Sequence, residues 1–267
     1  MAVTCGDIAL YMEKLAPPDL AEDWDNVGFL LGRRQKTVSR ILVALDAIDE
    51  VIEEAVGLNA DMIITHHPIL FKPIDRITDD NPLGKRLLRV LEQGIAVYAA
   101  HTNLDTAWGG TNDALAACLG LRNVEPILLL DEAPSMGLGR KGILPKKTTL
   151  DALSVMVKER LSLPAVRYVG DGKQKVQTVG ICTGSASGLK YFTGAVAAGC
   201  EVYITGDIRF HEAQDALSMG LPLIDATHYA SEAVVIPCLV DGLRDAFGPA
   251  VVVTASAVDG QVFRHVL

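Results

Sequence analysis

Ile63-Ile64-Thr65-His66-His67-Pro68-Ile69-Leu70-Phe71 is the stretch on which the reading of this chain turns. An apolar run of strand character stops at two adjacent histidines, and Pro68 has no N–H with which to continue a ladder. Imidazoles placed where a buried strand runs out can reach the crevice in which open α/β sheets hold their ligands. On extended backbone, neighbouring side chains point to opposite faces, so one metal ion cannot easily take both rings there. Two nearby ions could, or a turn at Pro68 could bring the pair together.

Working outward, short apolar runs alternate with helical patterns. Thr4 and Asp7 open a first helix with Ile8, Tyr11, Met12 and Leu15 on one face, and Pro17-Pro18 ends it. The acidic, aromatic segment Glu22 to Gly28 reads as a loop or the approach to a strand. Ile41 to Leu45 is a buried strand that ends at Asp46, and Glu50 to Gly57 is a helix with Val51, Ile52 and Ala55 inward. After the double histidine, Asn81-Pro82 starts a helix with Leu83, Leu87 and Leu91 inward and Gly94 as its stop. Ile95 to Ala100 is again strand-like and ends at His101, and Gly109-Gly110 leads into a helix closed by Gly120. This alternation predicts a largely parallel α/β sheet.

From Asp131 to Lys147 the pattern lapses into glycine, proline and charge. Gly137-Leu138-Gly139-Arg140-Lys141-Gly142 lacks P-loop or Rossmann spacing, so the segment reads as a crossing between domains. A helix from Thr149 to Leu161 follows. The second half then echoes the first: Ala195 to Thr205 repeats Ala55 to Thr65, with Glu201 standing for Asp61 and Gly206-Asp207 for His66-His67. Gly220 to Ala226 likewise resembles Gly94 to Ala100. The fold class expected is therefore α/β, as two similar α/β lobes from an internal repeat. The lobes expected are residues 1–130 and 148–267, with 131–147 crossing between them and the C-terminal part packing back on the first lobe.

The bulk numbers narrow the function. With 267 residues and a formal charge of −9, the chain has ample core and no general basic face for nucleic acid or a membrane surface. The opening Met1 to Asp7 has no cationic region followed by an apolar core, and the charge-free apolar runs are too short to span a bilayer. The five cysteines are scattered without a CxxC pair, as expected of thiols in a reducing cytoplasm. A cytoplasmic protein is expected.

Histidines gather at predicted strand ends: His66 and His67, His101, and His228 in Asp225-Ala226-Thr227-His228-Tyr229-Ala230-Ser231-Glu232. Asp105 lies four residues beyond His101 and Glu232 four beyond His228, a spacing that sets His228 and Glu232 on one helix face. A carboxylate bridging two cations is what dinuclear hydrolytic sites use. With imidazole and carboxylate donors and no thiolate, zinc, manganese, iron and nickel all suit. Each residue also has a plain reading, Asp105 as a turn former and Glu232 as a solvated helix residue; their joint place at strand ends favours a metal centre. Arg209 and His211 could line the cleft and meet an anionic substrate, or could lie on the surface.

At these residues the chain resembles a known family. ITHHPILF, AAHTNLDTAWGGTNDALA, ITGDIRFHEA and DATHYASE, with WDNVGFLLG and GLGRKG, are similar to the NIF-three-like family, which also carries the name GTP cyclohydrolase I type 2. The resemblance implies two α/β lobes, a dinuclear centre in the cleft between them and a ring-shaped homo-hexamer. It places the ligands of two divalent metal ions on His66, His67, Asp105, His228 and Glu232. His101 matches a position close to that centre, as a group behind the ligands or an occasional ligand. Its own place at a strand end near Asp105 also makes it the candidate for proton transfer, unless it only orients a ligand through its second ring nitrogen. The implied activity is hydrolysis of a small anionic substrate such as GTP, by water attack at the purine C8. A dinuclear phosphoesterase or amidohydrolase, and a metal-bearing scaffold or regulator without enzymatic activity, are the rival readings.

Overall fold

The computed structural model describes residues 2–130 and 133–266. Two compact units emerge: Met1–Ala107 with Ile236–Gly260, and Trp108–Val235 with Gln261–Leu267.

The first unit opens with α1 (Cys5–Leu15), capped reciprocally by Thr4 and Asp7: Thr4 Oγ1 accepts from the Asp7 N–H and the Asp7 carboxylate accepts from the Thr4 N–H. It continues through β1 (Gly28–Leu31), β2 (Arg40–Ala44), α2 (Asp49–Gly57), β3 (Met62–Thr65), α3 (Pro82–Glu92), β4 (Ala96–Ala99) and α4 (Thr102–Thr106). The second unit holds α5 (Thr111–Cys118), β5 (Arg122–Leu130), β6 (Ala133–Thr149), α6 (Leu150–Arg160), β7 (Arg167–Val169), β8 (Lys175–Ile181), α7 (Leu189–Ala197), β9 (Val202–Thr205), α8 (Phe210–Ser218), β10 (Leu223–Asp225) and α9 (His228–Ala233). The chain then runs through α10 (Val235–Phe247) to β11 (Val252–Ala255), which lies in the first unit.

Strand order in the first sheet is β1-β4-β3-β2-β11, and in the second β5-β6-β8-β9-β10-β7. Each has a parallel core, β2, β3 and β4 in one and β8, β9 and β10 in the other, with an antiparallel edge strand (β1 or β7) beside its last member. The first sheet is largely parallel as expected, β11 also running parallel to β2, whereas the second is mixed, because β5, β6 and β7 pair antiparallel. β3, β4 and β9 are buried at every position, and β2 at all but its first, which is why they read as nearly unbroken apolar runs.

The repeat read from the sequence is present in the fold, helix for helix and strand for strand, from α1 to α4 and from α6 to α9. Asp61 and Glu201, one standing for the other, do the same work. Asp61 accepts the N–H groups of Ser39 and Arg40 at the start of β2; Glu201 accepts those of Gln177 and Thr178 in β8. Lysines complete both latches, Lys36 at 3.2 Å and Lys147 at 3.3 Å. Burial by itself would raise the Asp61 carboxyl, yet these hydrogen bonds and Lys36 hold it below its ordinary value.

Two expectations need correction. The inner face of α3 is Gly84, Leu87 and Val90, whereas Leu91 is 45% exposed; the leucines recur at a spacing of four, but the buried stripe runs at three. Of segment 131–147, expected to cross between domains, residues 133–147 instead supply most of β6, which pairs with β5 and β8 in one sheet, and 131 and 132 lie outside the described residues. Its glycines hid that strand. Gly137 lies so close to β5 that a Cβ there would stand 2.2 Å from the Leu128 carbonyl oxygen. The carbonyls of Gly137 and Gly139 accept from Nη1 of Arg140 at 2.7 and 3.0 Å, so the motif wraps its own guanidinium rather than a phosphate. Arg140 is fully buried, forms a bidentate pair with Asp113 at 2.9 Å and stands 4.5 Å over the Trp108 ring. Among the described residues, no helix is long and apolar enough to cross a membrane.

Candidate metal centre

Register decides where the chemistry collects in the first unit. Ala44 of β2 lies beside Thr65 of β3, and Thr65 beside Ala99 of β4, so three parallel strands end level. Asp46, the His66-His67 pair and His101 follow immediately, at the carboxyl edge where α/β sheets hold ligands. The backbone bends at His66 and His67 instead of continuing extended. The two rings therefore meet, with centroids 5.0 Å apart, as the turn alternative allowed. His101 closes a triangle at 5.1 Å from His66 and 5.4 Å from His67. One ring nitrogen from each of the three lies within 4.8 Å of the others.

Each ring is held through its Nδ1. His66 Nδ1 lies 2.8 Å from the Ala100 carbonyl oxygen, His67 Nδ1 2.7 Å from Asp46 Oδ1, and His101 Nδ1 2.8 Å from Asp25 Oδ1. A carbonyl only accepts, so His66 carries its proton on Nδ1 and turns the Nε2 lone pair toward the cluster. Carbonyl or carboxylate behind one nitrogen and open coordination at the other is how metal-binding histidines are oriented. His66 Nε2 lies 3.6 Å from Asp105 Oδ1, a separation that suits two ligand atoms each about 2.1 Å from one ion. The donor set of this unit fits a metal ion.

Asp25 came out of the sequence only as part of an acidic loop. Its side chain is fully buried and accepts from His101 Nδ1, from the Thr102 N–H at 3.0 Å and from the Thr102 hydroxyl at 2.5 Å. Burial pushes its carboxyl up, but those hydrogen bonds and the adjacent imidazole outweigh burial and hold it at about 2. A folded-state value below the ordinary 3.8 means stability that is present above about pH 4 and lost as pH falls toward 2. Wild type should exceed Asp25→Asn by about 2 kcal/mol at pH 6, the gap narrowing below pH 4. Urea unfolding across that range measures it.

The second unit carries a matching arrangement at the ends of β9 and β10. His228 Nδ1 stands 2.8 Å from Asp207 Oδ2, and its Nε2 stands 3.1 Å from Glu232 Oε2, one helical turn on in α9. Glu232 is 3% exposed, so the solvated reading of that residue does not hold. The backbone is shaped around it. Gly184, at φ +68°, passes so near that a Cβ would stand 2.2 Å from Glu232 Oε1. Thr227, just before His228, is held at φ 61°, a costly conformation for a β-branched residue and one that clusters at functional sites. Arg209 and His211 do not join this group. Arg209 is exposed at the start of α8, lining a cavity of about 220 Å³ with Arg167, Phe210 and Asp225, and His211 Nδ1 lies 3.1 Å from Gln214 Oε1.

Sequence reasoning named the histidines and missed the acids behind them, Asp25, Asp46 and Asp207. The signal was faint but present: Asp46 ends a buried strand, and Asp207 stands in the repeat where the double histidine stands. Asp46→Asn and Asp207→Asn should each weaken metal affinity about 10- to 100-fold while far-ultraviolet circular dichroism stays unchanged. Competition with a chromogenic chelator gives the readout.

Comparison with known proteins agrees along the whole chain. A Clostridium acetobutylicum protein named GTP cyclohydrolase 1 type 2 homolog is 39% identical over 233 residues, 87% of this chain and 86% of that one. A Streptococcus pneumoniae protein of the same name is 33% identical over 260 residues, covering 95% and 96%. The crystal structure of the Staphylococcus aureus hypothetical protein SA1388 superposes with a TM-score of 0.93 at 30% identity, covering 100% of both chains. That of a Bacillus cereus protein related to NIF3 gives 0.92 at 27% identity, covering 99% of both. The Duf34/NIF3 (NGG1p interacting factor 3) family model matches residues 3–259, and with the double-histidine edge and the repeated sheets it establishes that this chain belongs to the DUF34/NIF3 family.

Proposed function

We propose that the protein is a dinuclear-metal-dependent hydrolase of the GTP cyclohydrolase type, with His66, His67, Asp105, His228 and Glu232 as ligands of two divalent ions. The observation that carries the reading is the common orientation of four histidines, each held through Nδ1 by an oxygen atom, with Asp105 beside His66 Nε2 and Glu232 beside His228 Nε2. The names of the relatives favour a nucleotide as the small anionic substrate. When bound, two divalent ions make a water nucleophilic near neutral pH and draw charge from the attacked carbon. The chain's own part is orientation and proton handling. His101, locked by Asp25, can hold a proton on Nε2 and pass it to a leaving nitrogen as the imidazole ring of the purine opens. Asp25, low in pKa and fully buried, stays ionised and keeps that ring in one tautomer.

The protein would work in the cytoplasm as a homo-hexamer; large apolar side chains left exposed, such as Leu189 and Leu217, support assembly. Light scattering at micromolar concentration should return six chains, and a monomer refutes that part. The test of the activity follows GTP loss and formamidopyrimidine formation with zinc, manganese or iron supplied. Wild type turns over, His67→Ala does not, and His101→Ala falls about 10²- to 10⁴-fold, the usual contribution of a general acid or base. Turnover that persists in His67→Ala rejects the site. Failure on every nucleotide and phosphoester tried leaves a metal-bearing scaffold or regulator as the function.

A further inference from the structure

Two large aromatic side chains stand beside the histidine cluster, and the chemistry above uses neither. Trp24 is 56% exposed and Phe71 45%, yet neither is loosely placed. Their ring centroids are 5.7 Å apart, and both rings meet His101 at steep angles, Trp24 from 5.9 Å and Phe71 from 5.8 Å. The backbone on either side is pinned. Asp25, the next residue after Trp24, is buried against His101 and Thr102, and Asn26 donates from Nδ2 to the carbonyl of Leu70, next to Phe71. One polar tie thus fixes the Trp24 loop to the end of β4 and another fixes it to the Phe71 loop.

Half-exposed aromatics usually lower their cost by turning inward or by moving freely. These two are about half exposed, sit between anchored neighbours and stand next to the imidazole of His101. Rigid placement of an aromatic face lowers the ordering cost of binding a flat ligand. A ring inserted between Trp24 and Phe71 would need roughly 7 Å, two van der Waals layers, so the 5.7 Å gap is too narrow and the ligand must lie on an outer face.

We propose that Trp24 and Phe71 form a stacking wall that holds a planar nitrogen heterocycle, of the size of a nucleobase, with its edge toward His101. This rests on the hydrolase reading for the identity of the reacting ring, and it deepens that reading by assigning substrate selection to the base rather than to the phosphates. Stacking on an aromatic side chain tolerates any π-face and is lost when the ring is removed.

The test reads Trp24 emission from the zinc-loaded full chain carrying Trp108→Phe, which leaves Trp24 as its sole tryptophan. With excitation at the red edge, guanosine should quench that emission saturably, while ribose 5-phosphate, which has no base, should leave it unchanged. Phe71→Ala should weaken guanosine binding about tenfold at unchanged zinc content, and Phe71→Tyr, which keeps a ring, should restore it to within about threefold. Trp24→Ala, followed by calorimetry, should weaken guanosine binding by a similar factor. Equal responses to guanosine and ribose 5-phosphate, or no response to guanosine, overturn the wall. Loss of zinc in Phe71→Ala or Trp24→Ala also overturns it, because the pair would then be supporting the histidines. Quenching without GTP turnover would uphold the wall and sink the hydrolase; turnover without quenching would do the reverse.

Discussion

Asp105→Ala and Glu232→Ala should each fold and each lose metal. Wild type loaded and dialysed without chelator should carry about two transition-metal ions per chain, as the two-metal reading requires, and either variant about one or fewer. Asp105 lies in α4 just past β4, and its carboxylate faces His66 Nε2 rather than a core layer. Glu232 is buried, but its place is built from Gly184 and His228, so alanine removes a carboxylate without stranding an opposite charge in the core. Asp207 and Glu232 flank the same His228 ring, so without metal the removal of Glu232 relieves repulsion between two carboxylates. Stability of the metal-free protein should therefore change by less than about 1 kcal/mol, while the stabilisation that wild type gains on loading is largely lost. Metal analysis with circular dichroism decides this. Unfolding of both variants would make the two residues structural, and full metal content in both would remove them from the ligand set.

Arg140 should behave in the opposite way. Arg140→Met should destabilise the second unit by about 3–5 kcal/mol, the cost of breaking a buried pair and leaving its partner, and lower its melting temperature by on the order of 10 °C. The cost has three sources in the structure: Asp113 loses both arms of its bidentate pair, two glycine carbonyls lose their donor, and Trp108 loses the cation above its ring. Arg140→Lys should recover little, since one ammonium cannot match the planar fork. Arg140→Met combined with Asp113→Leu should recover a large part, because no charge is then left behind. Urea unfolding of the four proteins measures this. Wild-type stability in Arg140→Met would show that the wrapped guanidinium contributes nothing.

The two experiments separate motifs that look alike in the sequence. GLGRKG and THHP are both short, polar interruptions of apolar pattern. One turns out to be internal scaffolding and the other the edge of a candidate reaction centre. Glycine next to arginine is compatible with phosphate binding on spacing alone; only the distances from Arg140 to its own loop assign it to structure.

Legibility from the sequence followed physics. β2, β3, β4 and β9 were readable because parallel strands covered on both faces must be apolar at nearly every position, and β8 and β10 because they echo β2 and β4 in the repeat. The caps of α1 and α6 were readable because Thr4 and Thr149 bind their own helices within three residues. The internal repeat was readable because both halves bury the same faces, down to Asp61 and Glu201 on matching strand ends. β5, β6 and β7 were not: β5 and β7 are antiparallel edge strands that carry polar residues, and the interior β6 is interrupted by glycine, proline and lysine, so the pairing of all three depends on partners elsewhere in the fold. The site divided along the same line. Residue type and spacing alone put His66, His67, His101, Asp105, His228 and Glu232 under suspicion. Which ring nitrogen each histidine presents, and that Asp25 and Asp46 stand behind two of them, depended on contacts across 76 and 21 residues of sequence. Such contacts exist only once parallel strands have been set level by their register.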